Sequence, residues 1–259
     1  MMAHVRLHVH EFGPGAGRTV VALHGVTGSA HVFRRLAPRM PGFRLVAPDL
    51  RGHGESGKEP PWDLAAHLRD VRETLDAMGI SRAPFIGYGF GGRLAVELVA
   101  AERSRVEKLV LLDPALQLRP DHVTTLTDAL LNDTSYATRA EAIEARRATA
   151  PYAPPEHFEM WAETLVEGAD GRLRLAVSRA AAIAIYSELT TPPPPFASVR
   201  LPTLLIVGAE SPLVTPKQIE RYTYELADFL EVKAVRAKHQ LIGDAADDVA
   251  TAIMAFLAR

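Results

Sequence analysis

Apolar positions in this chain fall into short runs of strand length that alternate with stretches of helical period. Residues 5–12 alternate apolar and polar side chains and predict a half-exposed strand. Residues 19–23 and 43–49 are nearly continuous apolar runs, the pattern of strands covered on both faces. A helical pattern begins over 32–36. Over 64–78, Leu64, Leu68, Val71, Leu75 and Met78 recur at helical spacing, and Gly79 stands where a helix should end. A further apolar run starts at Ala83, breaks into alternating glycines (Gly87, Gly89, Gly91, Gly92) and passes straight into a helical pattern from Arg93. That combination predicts a strand, a very sharp turn and a helix whose backbones come close. Residues 106–112 form another buried run that ends in Asp113-Pro114.

The rhythm then changes. Between about 118 and 199 there are helical patterns (121–131, 139–148, 155–166 and 177–189) but no buried strand, and Thr191 followed by four prolines makes a stiff connector. Alternation resumes with a strand at 201–207, a helix at 216–226, a strand at 230–235 and a closing helix at 245–257. Alternating units on both sides of a helical stretch predict an α/β fold. Its mostly parallel central sheet is flanked by helices, its core comprises 1–118 and 200–259, and a helical cap is inserted at 119–199.

The 259 residues are 47% apolar, enough for one large core with a small excursion. A net charge of −2 offers no electrostatic reason for a nucleic-acid or anionic-membrane partner. With no cysteine, disulfides and thiolate chemistry are excluded. His4, Arg6, His8 and His10 interrupt any leader-like apolar run, and no stretch reaches the roughly 18 apolar residues of a membrane span, so a cytoplasmic protein is expected. Three of those histidines, at 4, 8 and 10, read as one solvated face.

The order of motifs resembles the α/β-hydrolase superfamily, and more narrowly its actinobacterial esterase/lipase-like members with a helical cap. His24-Gly25 follows what that family counts as its third strand, and the glycine-rich loop 49–57 follows its fourth. The elbow at 87–91 follows the fifth, and His239 precedes the last helix. The resemblance implies a small-molecule, apolar, ester-like substrate and roles for particular residues. His239 would be the general base. The backbone N–H groups of Val26 and Phe90 would form an oxyanion hole, each donor worth roughly 3–4 kcal/mol. The family's usual acid position, after the strand at 201–207, holds Ser211, which cannot supply a negative charge. Asp113 is therefore favoured as the partner of His239, with Glu210 as the alternative. His24, Tyr88, Trp161 and Tyr186 are expected to line the substrate site, whereas His53 is expected to brace loops. Other apolar cap residues, among them Tyr136, Tyr152, Phe158, Met160, Leu165 and Leu189, either contact substrate or fill the cap's own core.

The elbow's middle position, where a nucleophile belongs, is Gly89. Four readings follow: a variant serine esterase otherwise intact, a hydrolase whose base activates water in the room of the missing hydroxymethyl group, a binding protein that kept its pocket, or cofactor-free chemistry on an activated carbonyl. No cofactor is expected. Residues 87–92 only superficially resemble a dinucleotide fingerprint, because Asp113, at the end of the next strand, runs into Pro114 and the insertion rather than a ribose site. No metal is expected either, since no His/Asp/Glu set shows ligand spacing on one element.

Overall fold

Seven strands make one sheet in a computed structural model that describes residues 5–132 and 135–259. In chain order the strands are β1 (Val9–Phe12), β2 (Arg18–Leu23), β3 (Phe43–Pro48), β4 (Ala83–Tyr88), β5 (Val106–Leu112), the short pair β6 (Val166–Glu167) and β7 (Leu173–Arg174), then β8 (Thr203–Gly208) and β9 (Leu230–Val235). The helices are α1 (Leu64–Ala77), α2 (Phe90–Ala101), α3 (Pro120–Leu131), α4 (Arg139–Arg147), α5 (Pro155–Ala162), α6 (Arg179–Glu188), α7 (Pro216–Leu226), α8 (Leu241–Asp244) and α9 (Ala246–Ala258).

The sheet order is β1-β3-β2-β4-β5-β8-β9, with β1 antiparallel and every other pairing parallel. Central strands β4 and β8 are buried throughout, which is why they read as unbroken apolar runs. Val71, Leu75, Leu94 and Leu98 of α1 and α2 fill one face of the sheet. Phe33 and Leu36, with Val249, Ile253 and Leu257 of α9, fill the other. Burying both faces of the sheet at about 25 cal/mol per Å² of apolar surface is the main force holding this arrangement.

Several expectations need adjustment. Pairing of β1 begins at Val9, opposite Pro48 where β3 ends, so the strand is shorter than the alternation at 5–12. The pattern at 32–36 belongs to a 3-10 turn, Ala30–Arg35. The helix expected to 166 stops at Ala162, because Val166 and Glu167 pair with Arg174 and Leu173 around a turn at Gly171 (φ +73°). Two-residue strands carry no alternation to read. The elbow follows the fourth strand of the described residues, one fewer than the family count implies. Helices α3–α6 lie between β5 and β8, and residues of α4 and α5 form a small core of their own around Ala142, Ile143, Phe158 and Ala162.

Candidate active site

The turn between β4 and α2 brings two backbones together. Gly89 caps α2 with φ +53° and ψ −112°, a conformation that L side chains rarely adopt. A β-carbon on Gly91 would collide with the Leu23 carbonyl, so the helix approaches β2 as only glycine allows. The Gly91 N–H donates to the His24 carbonyl (3.0 Å), tying the elbow to the loop after β2.

His239 lies between β9 and α8, and its Nδ1 is 2.7 Å from Asp113 Oδ2. Asp113, at the end of β5, is fully buried and sits at φ +39°, held by its N–H to Ile206 (2.8 Å). The same Oδ2 accepts a hydrogen bond from Ser211 Oγ at 2.5 Å. Serine at the family's acid position thus touches the carboxylate that stands beside the imidazole. A carboxylate beside Nδ1 selects the Nδ1–H tautomer and leaves Nε2 free as a base. That edge faces the elbow: a β-carbon on Gly89 would lie 3.4 Å from both Nε2 and Cε1. The Tyr88 hydroxyl donates to the His239 carbonyl (2.6 Å), and burial, then the nearby Asp113 charge, pushes its pKa far up, so it stays a neutral brace.

Glu210 is not at the imidazole. It accepts from the Tyr152 hydroxyl at 2.5 Å.

Val26, Phe90, Gly89 and His239 line one cavity of about 300 Å³. Among the described residues, neither the Val26 nor the Phe90 N–H is taken up by an intramolecular hydrogen bond, so both remain available to a ligand oxygen. Trp161, Tyr186, Tyr88 and Met160 line the cavity, whereas Tyr136, Tyr152, Phe158, Leu165 and Leu189 do not. His24 does not line it either, which corrects its expected substrate contact. Its Nε2 accepts from the Leu50 N–H (2.9 Å), its Nδ1 donates to the Gly25 carbonyl (2.8 Å), and it is fully buried. Burial lowers its pKa. His53 braces loops as expected, with Nε2 2.5 Å from the Val26 carbonyl and Nδ1 3.0 Å from that of Arg51.

The histidine face is revised too. His4 lies outside the described residues. His10 is no solvated residue: its Nε2 is 3.2 Å from the buried Asp49 and its ring packs on His31. The ligand atoms of His8, His10 and Glu55 come within 4.8 Å of one another across two segments, a proximity that spacing on one element could not reveal. Cavity residues that sequence reading missed include Arg35, Arg146, His157 and Gln240. The arginines sit in patterns that read as solvated helix faces, so no local signal marks them.

A family described as alpha/beta hydrolase fold matches residues 18–245. The chain belongs to that family. Among curated relatives it is similar to Lipase LipV of Mycobacterium tuberculosis, 37% identical over 188 residues, which are 71% of this chain and 72% of that protein. It is also similar to Esterase YbfF of Escherichia coli, 35% identical over 37% of this chain and 38% of that one. Among solved structures, E-2-(acetamidomethylene)succinate hydrolase superposes with a TM-score of 0.87 at 23% identity, over 98% of this chain and 95% of that one. An esterase from Exiguobacterium antarcticum superposes at 0.80 and 17% identity, over 98% and 96%. At such identities the structural likenesses speak for the α/β-hydrolase fold alone. No helix among the described residues is long and apolar enough to cross a membrane.

Proposed function

We propose that this α/β-hydrolase acts on small carboxylic esters, that Gly89 stands in place of the family's serine nucleophile, and that turnover proceeds through water activated by His239. The observation that carries the reading is that His239 Nε2 stands 3.4 Å from where a β-carbon at position 89 would lie, while Nδ1 is held by Asp113 at 2.7 Å. A general base and its orienting carboxylate are thus assembled around a position with no oxygen of its own. In this reading Nε2 takes a proton from water, and the hydroxide formed attacks the ester carbon. The carbonyl oxygen becomes an oxyanion held by the Val26 and Phe90 N–H groups. Collapse breaks the bond to the leaving alkoxide, which takes the proton back from His239. Residues 119–199 serve as the cap, with Trp161 and Tyr186 setting the apolar part of the substrate site. The core comprises 1–118 and 200–259.

Restoring the oxygen tests this. Gly89→Ser places a hydroxyl within reach of Nε2, and hydrolysis of p-nitrophenyl acetate should rise by about 10²-fold or more over the parent chain. A Gly89→Ser protein no faster than buffer would end the ester-hydrolase reading.

A second reading is favoured by the glycine itself: a ligand-binding protein that keeps the cavity without catalysis. Under that reading His239→Ala weakens ligand binding, and neither the parent chain nor Gly89→Ser turns over any ester.

A further inference from the structure

The cavity beside His239 is cationic in a chain whose net charge is −2. Its lining includes Arg34, Arg35 and Arg146 with His31, His122 and His157, and among the described residues that line it none is Asp or Glu. Arg34 is spoken for by Glu163 at 2.8 Å. Neither Arg35 nor Arg146 forms an ion pair among the described residues. Arg35 Nη1, Arg146 Nε and His157 Nε2 are each buried without a hydrogen-bond partner. Three such nitrogens on residues that line one cavity are unusual, because buried polar atoms are almost always paired.

Arg146 is the best placed of the three. Its guanidinium lies 4.8 Å from the centre of the Trp161 ring, and its Nη2 donates to Gln240 Oε1 (3.2 Å), the residue after His239. Burial lowers its pKa, and the nearby phenols of Tyr88 and Tyr136 act against that shift. His157 is lowered to about 4, first by burial and then by Arg35 and Arg146, so its ring is neutral at pH 7, and its Nε2 edge packs against Gly243. A guanidinium placed by an aromatic ring and one side-chain acceptor, lining the cavity with no carboxylate paired to it, suits an anionic group that is planar like itself.

We propose that this end of the cavity binds a carboxylate carried by the substrate, with Arg146 as the principal ligand and Arg35 beside it. The preferred ester is then an acidic one, the half-ester of a short dicarboxylic acid, its chain running past Trp161 from the arginines to the elbow. The ester part of this statement rests on the reading above, whereas the binding of the carboxylate does not.

Calorimetric titration of the parent chain with monoethyl glutarate and with diethyl glutarate separates the two. The half-ester should bind at least about tenfold more tightly, and Arg146→Gln should abolish that preference. Arg146→Lys should restore only part of it, since it keeps charge but not the fork. Arg35→Gln, expected to reduce the preference, serves in its place should Arg146→Gln fail to show a native melting transition. Equal or weaker binding of the half-ester, no binding of either, or a preference that survives both glutamine variants would overturn the proposal. Turnover of p-nitrophenyl acetate by Gly89→Ser without any preference for the half-ester would remove the carboxylate site and leave the hydrolase. Arginine-dependent binding with no turnover would do the reverse.

Discussion

At residue 89 conformation and chemistry pull in opposite directions. A side chain there must adopt φ near +53°, at a cost of about 1–3 kcal/mol, and glycine escapes that cost while giving up an attacking oxygen. Gly89→Ser should therefore lower the stability read from denaturant melts by about 1–3 kcal/mol while raising ester hydrolysis. A gain of activity without loss of stability would show that the turn relaxes around the new side chain. Asp113 makes the complementary case. It tolerates φ +39° and a buried charge because His239 and Ser211 both bond its Oδ2. In the Gly89→Ser background, Asp113→Asn should cost about 10³–10⁴ in kcat, since an amide donating to Nδ1 would favour the wrong tautomer. A loss below tenfold would mean that the imidazole does not depend on Asp113 for its orientation.

At the scale of elements, the site depends on how closely α2 approaches β2. The contact between Gly91 and the Leu23 carbonyl involves backbone on both sides, so neither partner can rotate away. Gly91→Ala should cost about 3 kcal/mol or more and lower the melting temperature by about 6–12 °C. An unchanged melting curve would refute the close approach. The same packing aims the start of α2 at the loop after β2, which brings the Val26 and Phe90 amides to one cavity. Elements with strong patterns were legible beforehand: β5, α7 and β9 have the extents that their apolar repeats predict. The β6–β7 pair was not, because its residues are exposed in β6, half-buried in β7, and too few to show a period.

For the molecule as a whole, buried histidines set the response to acid. Burial holds His24, His31, His53, His67 and His157 below their usual value, His53 at about 3 and His157 at about 4. A folded-state pKa below the unfolded one means that the unfolded chain binds protons first. This contribution is complete above about pH 6.5 and is lost as pH falls towards the folded values. His53 alone, fully buried, should cost about 2 kcal/mol at pH 5. Thermal melts from pH 8 to 5 should show the midpoint falling below about pH 6.5, and a flat profile would mean that these rings protonate without unfolding.

The α/β alternation, the elbow and the gap at its centre were determined by sequence alone, since hydrophobic period and glycine placement are local properties of the chain. The choice of Asp113 over Glu210 was decided only by tertiary structure, because it depends on where the ends of β5 and β8 stand relative to a loop more than a hundred residues beyond β5. The same holds for His24, which looks like a site residue in its motif and becomes a brace once Leu50 is beside it. It holds most for Arg35 and Arg146, ordinary surface arginines by spacing, which become the walls of a cavity because α4 and the turn at Ala30–Arg35 both come to line it. Charge and burial are properties of neighbours in space, and the chain does not write them in order.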